Sequence, residues 1–125
     1  MHHDKLEEMF VLREKFMEAM RSSGRGYMVQ WPLEISEKKS QQLVREITLK
    51  GIEELFEALS ELKNWKSHKV TEEPTVDRDA FLEEMVDAIN YFFAVLVLSG
   101  FSPQEFYEAY VKKDSVIHQR LKNNY

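Results

Sequence analysis

The stretch AFLEEMVDAINYFFAVLVL, residues 80 to 98, decides the fold expected of this chain. Its apolar side chains recur at helical spacing and cover most of the circumference of a helix. A helix that is apolar on nearly every side is buried by its neighbours. The sequence therefore predicts an all-α, four-helix bundle-like fold with this helix packed among the others. It also places Glu84, Asp87 and Asn90 at or near the packed interior.

Two pairs of acidic residues share one spacing, and they lie on separate predicted helices. Glu84 and Asp87 form one pair, and Glu54 and Glu57 form the other. Residues three apart lie on one face of a helix, so each pair presents two carboxylates together. An unpaired carboxylate in an interior is costly and needs a cation or a hydrogen-bond donor. Four oxygen ligands suit Mg²⁺, with Mn²⁺ as a substitute, and so predict chemistry on phosphates.

Three further helices are expected, at residues 4 to 21, 36 to 65 and 103 to 122. Ser102-Pro103-Gln104-Glu105 matches a capping box with proline at the first helical position. Gly100 is expected to end the helix before it. Two glycines and a proline make residues 22 to 35 a loop. Its apolar residues predict docking on the body of the protein or over a pocket, and they are Tyr27, Met28 and Trp31.

Composition limits the architecture and the chemistry. A chain of 125 residues, 43% of them hydrophobic and 31% charged, is expected to be one globular domain over residues 1 to 125. Only 4 glycines and 3 prolines disfavour an architecture of strands and tight turns. The absence of cysteine excludes disulfides, thiolate metal sites and cysteine nucleophiles.

Charge and hydropathy limit the possible binding partners and the compartment of the protein. A net charge of −5 argues against a nucleic-acid polymer, whereas a small polyphosphate bridged by divalent cations stays compatible. The apolar run at residues 94 to 98 is too short to span a membrane, and no signal-peptide pattern opens the chain. We therefore expect a cytoplasmic protein. Three short helices cover the apolar central helix poorly, which predicts a homodimer or a dimer of dimers.

The order of these motifs resembles the all-α nucleoside triphosphate pyrophosphatases, which include dimeric dUTPases, MazG-like enzymes and dCTP pyrophosphatases. The matching stretches are EELFE (53 to 57), KNWK (63 to 66) and EEMVDAINYFF (83 to 93). In addition, AYVKKDSVIHQRLKNNY (109 to 125) is similar to the closing motif of dUTPases. The resemblance covers roughly residues 43 to 125. The Lys-x-Trp sequence favours the dUTPase branch.

The resemblance implies a Mg²⁺-dependent hydrolase that converts a nucleoside triphosphate and water into a monophosphate and pyrophosphate. It implies that Glu54, Glu57, Glu84 and Asp87 ligate Mg²⁺ and that one of the three glutamates orients the attacking water. It further implies a set of substrate-binding residues, namely Lys63, Trp65, Lys66, Asn90, Lys113 and Arg120. From the residues alone, core packing is slightly favoured for Trp65, and a solvated position is as plausible as phosphate contact for Lys63 and Lys66.

The base and two other functional classes stay open. Arg13 and Met17 stand where dimeric dUTPases carry amides that recognise uracil, so dUTP leads dCTP and purine nucleotides by a small margin. An oxygen-dependent di-metal protein would need a Glu-x-x-His pair on its helices, and no histidine follows the acids at that spacing. A non-catalytic helical oligomerisation module predicts no affinity for Mg²⁺.

Overall fold

The computed structural model describes residues 4 to 70 and 75 to 123. Over these residues it contains helices and no strands, so the all-α prediction is confirmed. In chain order the helices are α1 (Lys5–Ser22), α2 (Lys38–Leu59), α3 (Arg78–Leu98) and α4 (Pro103–Lys122). In the described part of the chain, no one helix is both long and apolar enough to cross a bilayer, and only α3 and α4 counted together reach that length and composition.

Local capping groups fix the end of α3 and the start of α4 where the sequence predicted them. Gly100 follows α3 with φ 82°, a left-handed conformation that glycine adopts without strain. The backbone N–H of Glu105 donates to Ser102 Oγ at 3.0 Å, and Glu105 Oε1 accepts from the backbone N–H of Ser102 at 3.2 Å. This capping box, with Pro103 at the first turn, starts α4.

The second helix is shorter than predicted. It ends at Leu59 rather than near residue 65. The hydroxyl of Ser60 donates to the backbone carbonyl of Glu57, so this carbonyl is bonded to a side chain at the end of the helix. Leu62 N then donates to Leu59 O at 2.9 Å, the spacing of a tighter turn. Residues 63 to 66 consequently lie on a non-helical segment.

The chain divides into two compact units. The terminal unit comprises Met1–Pro32 with Leu96–Tyr125, and the central unit is Leu33–Val95. In the terminal unit the rings of Phe10 and Phe106 pack with centroids 6.2 Å apart. Its buried apolar residues are Phe10, Met17, Val97 and Leu98. The single-domain assignment stays a prediction.

The loop after α1 is fastened to that helix within the terminal unit. Trp31 Nε1 donates to Glu14 Oε2 at 2.8 Å. The guanidinium of Arg21 lies 4.5 Å from the centre of the Trp31 ring, and its Nη1 donates to the carbonyl of Val29 at 3.1 Å. The predicted docking is therefore confirmed for Trp31. It is wrong for Met28, whose side chain is 65% exposed.

The third helix is not buried on all sides. Ala88 and Ala94 are buried within the central unit, but other apolar side chains of α3 are exposed, among them Leu82, Val86 and Ile89. Within one chain, the neighbouring helices therefore leave part of the apolar circumference of α3 uncovered, and its burial in an assembly stays a prediction. On α4 no residue is buried.

Candidate metal centre

Three carboxylates from two helices meet in the central unit. Glu54 of α2 and Glu84 and Asp87 of α3 each offer one oxygen, and these oxygens all lie within 4.8 Å of one another. Oxygens that share one Mg²⁺ or Ca²⁺ lie about 2.0 to 2.6 Å from the ion, and thus at most about 5 Å from each other. The separation of the three oxygens therefore fits a single divalent cation.

The packing of α2 against α3 explains why these acids meet. A Cβ atom added at Gly51 would lie 2.9 Å from Cζ of Phe92 and 3.1 Å from Cβ of Tyr91. Moving along α2 from Gly51 to Glu54, the partners on α3 move backwards, from Phe92 to Asp87 and Glu84. The two helices therefore run antiparallel. Their close approach brings a carboxylate of α2 beside those of α3.

Small residues line this helix pair next to the acids. Ala58, four residues after Glu54, and Ala88, four residues after Glu84, are both completely buried. Residues four apart lie on one helix face, so Glu54 and Glu84 share the packing faces of their helices. Both are half-buried as a result, whereas Asp87 is exposed. The expectation that Asp87 lies in the interior was therefore wrong.

The surroundings of the cluster shift the pKa of Glu84. Its pKa is raised above the ordinary value, first by loss of hydration and then by repulsion from Asp87 and Glu54. Glu57 and Glu61 add weaker repulsion. Within residues 4 to 70 and 75 to 123, no lysine, arginine or histidine forms an ion pair with any of the three clustered carboxylates. A cation at this point would therefore relieve repulsion that no side chain of the described residues offsets.

Glu57 does not complete the predicted cage of four carboxylates. It is exposed and lies outside the group of three oxygens. At 3.6 residues per turn, Glu57 is rotated by about 60° from Glu54 around the helix axis. That rotation is enough to move Glu57 off the packing face on which Glu54 lies. Its carboxylate still acts on the cluster through the raised pKa of Glu84.

The remaining central-unit candidates lie on α3 and on the segment after α2. Asn90 is half-buried, one turn beyond Asp87 on α3. Lys63 and Lys66 are exposed. Trp65 is 72% exposed, so the core packing favoured from the sequence was wrong. Lys66 Nζ lies 5.5 Å from the centre of the Trp65 ring, a cation–π contact at the surface.

The last two candidates belong to the terminal unit. Lys113 and Arg120 are exposed on α4. Their separation of seven residues puts them on the same side of this helix, as the sequence predicted. A joint role in binding phosphate stays a prediction.

Sequence reasoning did not identify Glu54 as part of the packing face of α2. The packing face of α2 recurs at alternating intervals of four and three residues, a pattern that could have identified it. Its members are Ser40, Val44, Ile47, Gly51, Glu54 and Ala58. The pattern places Glu54, and not Glu57, among the packed residues.

The three-carboxylate centre can bind a hard divalent cation and, through it, the oxygens of a phosphate chain. Comparison of the chain with protein-family models, with curated proteins and with solved structures finds no match.

Proposed function

We propose that this protein is a Mg²⁺-dependent nucleoside triphosphate pyrophosphohydrolase that releases pyrophosphate and a nucleoside monophosphate, with dUTP as its first substrate. The observation that carries the proposal is the meeting of Glu54 with Glu84 and Asp87 from a second helix. The resemblance of the motif order to the all-α nucleoside triphosphate pyrophosphatases supports the substrate class.

The four acidic residues have two different roles in the proposed reaction. A divalent cation bound there supplies charge neutralisation for the phosphates and polarises water. Glu54, Glu84 and Asp87 hold it from two helices, so their relative positions are fixed by packed backbone. Glu57 lies outside the group of three, which leaves its carboxylate to accept a hydrogen bond from the attacking water and to orient it. No protein nucleophile is needed for such a displacement.

Cationic and polar side chains supply the other roles. Lys63 and Lys66 are exposed on a non-helical segment and can approach phosphate oxygens without distorting a helix. Trp65 offers an exposed ring for stacking on a nucleobase. Asn90 would hydrogen-bond the sugar. Lys113 and Arg120, on one side of α4, are phosphate-binding candidates by the resemblance alone.

The proposal is tested by pyrophosphate release with Mg²⁺ across a panel of deoxynucleoside and nucleoside triphosphates. We expect wild type to turn over one nucleotide preferentially, and Glu54→Gln and Asp87→Asn to lose that turnover because each removes a ligand charge. Glu53→Gln is the matched control, since Glu53 neighbours Glu54 on α2 but is exposed and outside the cluster. It should retain wild-type turnover.

The same assay separates the alternatives. Preferential turnover of dCTP or another nucleotide would indicate a dCTP-type or MazG-like activity. Failure to hydrolyse any nucleotide, with all variants folded, would contradict the enzyme and favour a non-catalytic helical oligomerisation module. The exposed apolar residues of α4 favour that module as the second candidate.

We also propose that the protein is a homodimer or a dimer of dimers. The supporting observation is that α4 carries large apolar side chains and yet buries none of its residues, with Tyr110, Val111 and Leu121 all exposed. We expect light scattering to give at least twice the 14.9 kDa mass of the chain. The unfolding temperature should rise with protein concentration because association stabilises the folded state. A mass of one chain at every concentration would contradict this.

A further inference from the structure

The closest approach between α2 and α3 occurs at a glycine inside a helix. Gly51 is buried in the central unit, although glycine is among the residues least favourable in a helix interior. A Cβ atom there would lie 2.9 Å from Cζ and 3.0 Å from Cε1 of Phe92. It would also lie 3.1 Å from Cβ of Tyr91. Even the smallest side chain at this position therefore requires the neighbouring helix to shift.

The two contacts differ in how easily they can relax. The Phe92 ring atoms are at the far end of a side chain that can rotate. The Cβ of Tyr91 is bonded to the backbone of α3 and moves only with that helix. Because both contacts lie on α3, a methyl group at Gly51 pushes the two helices apart and cannot be absorbed by ring rotation alone.

This contact lies one turn from the clustered carboxylates. Gly51 precedes Glu54 by three residues, which is about 4.5 Å along the axis of α2. Over so short a distance a helix moves as a rigid rod. A displacement at Gly51 therefore separates Glu54 from Glu84 and Asp87 by a similar amount. Metal sites tolerate errors in ligand distance of only about 0.2 Å.

We infer that Gly51 is a positioning residue for the metal centre: its missing side chain sets the spacing of α2 and α3 that brings Glu54 to Glu84 and Asp87. Gly51 touches no substrate and acts only through helix spacing. The inference rests on the proposed function in one respect, namely that the three carboxylates bind a divalent cation.

The test is Mn²⁺ binding to the full chain, followed by electron paramagnetic resonance, in wild type and three variants. Gly51→Ala should weaken Mn²⁺ binding by about tenfold or more, in the range seen when groups that orient metal ligands are removed. Tyr91→Gly removes the opposing Cβ atom of α3 and should restore Gly51→Ala to within about threefold of wild type, well short of the loss expected when a group that orients metal ligands is removed. Leu49→Ala, at an exposed position on α2, is the control and should bind as wild type does.

A second readout separates positioning from general loss of structure. In Gly51→Ala the Mg²⁺ concentration that gives half-maximal pyrophosphate release should rise, while turnover at saturating Mg²⁺ falls much less. If Gly51→Ala does not fold, the double variant with Tyr91→Gly decides. Wild-type binding by the double variant supports the inference, and binding as weak as in a carboxylate variant overturns it.

The two ways of failing are distinguishable. Wild type that binds no Mn²⁺ would overturn the metal centre and, with it, both proposals. Wild type that binds Mn²⁺ while Gly51→Ala binds equally well would leave the enzyme proposal intact and overturn the role of Gly51 alone.

Discussion

Glu84→Gln is expected to abolish pyrophosphate release and, at neutral pH, to raise the unfolding temperature of the metal-free protein. The loss of activity should be about a hundredfold or more, since a catalytic cation contributes several kcal/mol and each 1.36 kcal/mol is a factor of ten. The gain in stability follows first from the loss of hydration of the Glu84 carboxylate and then from the repulsion that Asp87 and Glu54 exert on it. Glutamine keeps the shape of the side chain and removes its charge.

The pH dependence of that stability has a definite sign. Because the pKa of Glu84 in the folded protein lies above its ordinary value of 4.5, the folded state binds this proton more tightly than the unfolded chain. The contribution of Glu84 to stability is therefore fully present below about 4.5 and is lost as the pH rises through the folded pKa. The stabilising effect of Glu84→Gln should thus be greatest at neutral pH and should fade as the pH falls towards 4.5.

Thermal unfolding of wild type and Glu84→Gln, with and without Mg²⁺, measures both effects. Mg²⁺ should raise the unfolding temperature of wild type at neutral pH and leave that of the variant nearly unchanged. Glu83→Gln is the matched control, because Glu83 is the exposed neighbour of Glu84 on α3. A variant that is less stable than wild type at neutral pH, or that keeps full activity, would contradict the arrangement of charges described here.

Leu98→Ala is expected to lower the free energy of unfolding by about 2 to 5 kcal/mol, the usual cost of emptying a fully buried leucine site. Leu98 has no exposed surface and closes the core of the terminal unit at the end of α3. Leu121→Ala, at a position 70% exposed in the single chain, should change the free energy of unfolding by no more than about 0.5 kcal/mol in a monomer. Urea denaturation at fixed protein concentration gives both values.

The Leu98→Ala and Leu121→Ala variants also test whether a second copy of the chain covers α4. A cost below about 1 kcal/mol for Leu98→Ala would contradict its burial. A large cost for Leu121→Ala that disappears on dilution would show that a second copy covers α4. That outcome would support the proposed dimer, because only an intermolecular contact depends on protein concentration.

The sequence predicted best the features that depend on a few adjacent residues. The end of α3 and the start of α4 are fixed by Gly100 and by Ser102 with Glu105, all close together in the chain. The end of α2 was misplaced because helical hydropathy continues past Leu59. The hydroxyl of Ser60, bonded to a helix carbonyl, and the tight turn after it end the helix instead.

The sequence predicted that acids from α2 and α3 would meet, but it gave the geometry of their meeting only in part. Spacing of three residues placed Glu54 and Glu57 on neighbouring positions, but it could not tell which one the partner helix would contact. That choice depends on the rotation of α2 about its axis, which Gly51 and Ala58 reveal through their fit against α3. The burial expected of Asp87 failed for a related reason, since it assumed that every apolar face of α3 was covered.

The two tryptophans give the protein a pair of optical reporters. Trp31 belongs to the terminal unit, where its indole N–H is bonded to Glu14 and its ring lies beneath Arg21. Trp65 belongs to the central unit and is largely surrounded by water. Fluorescence from Trp31 should consequently change when the terminal unit unfolds locally. The emission of Trp65, at longer wavelength, should report changes in the segment that follows α2. Single-tryptophan variants, made with phenylalanine at the other position, would let the unfolding of each compact unit be followed by its own tryptophan emission.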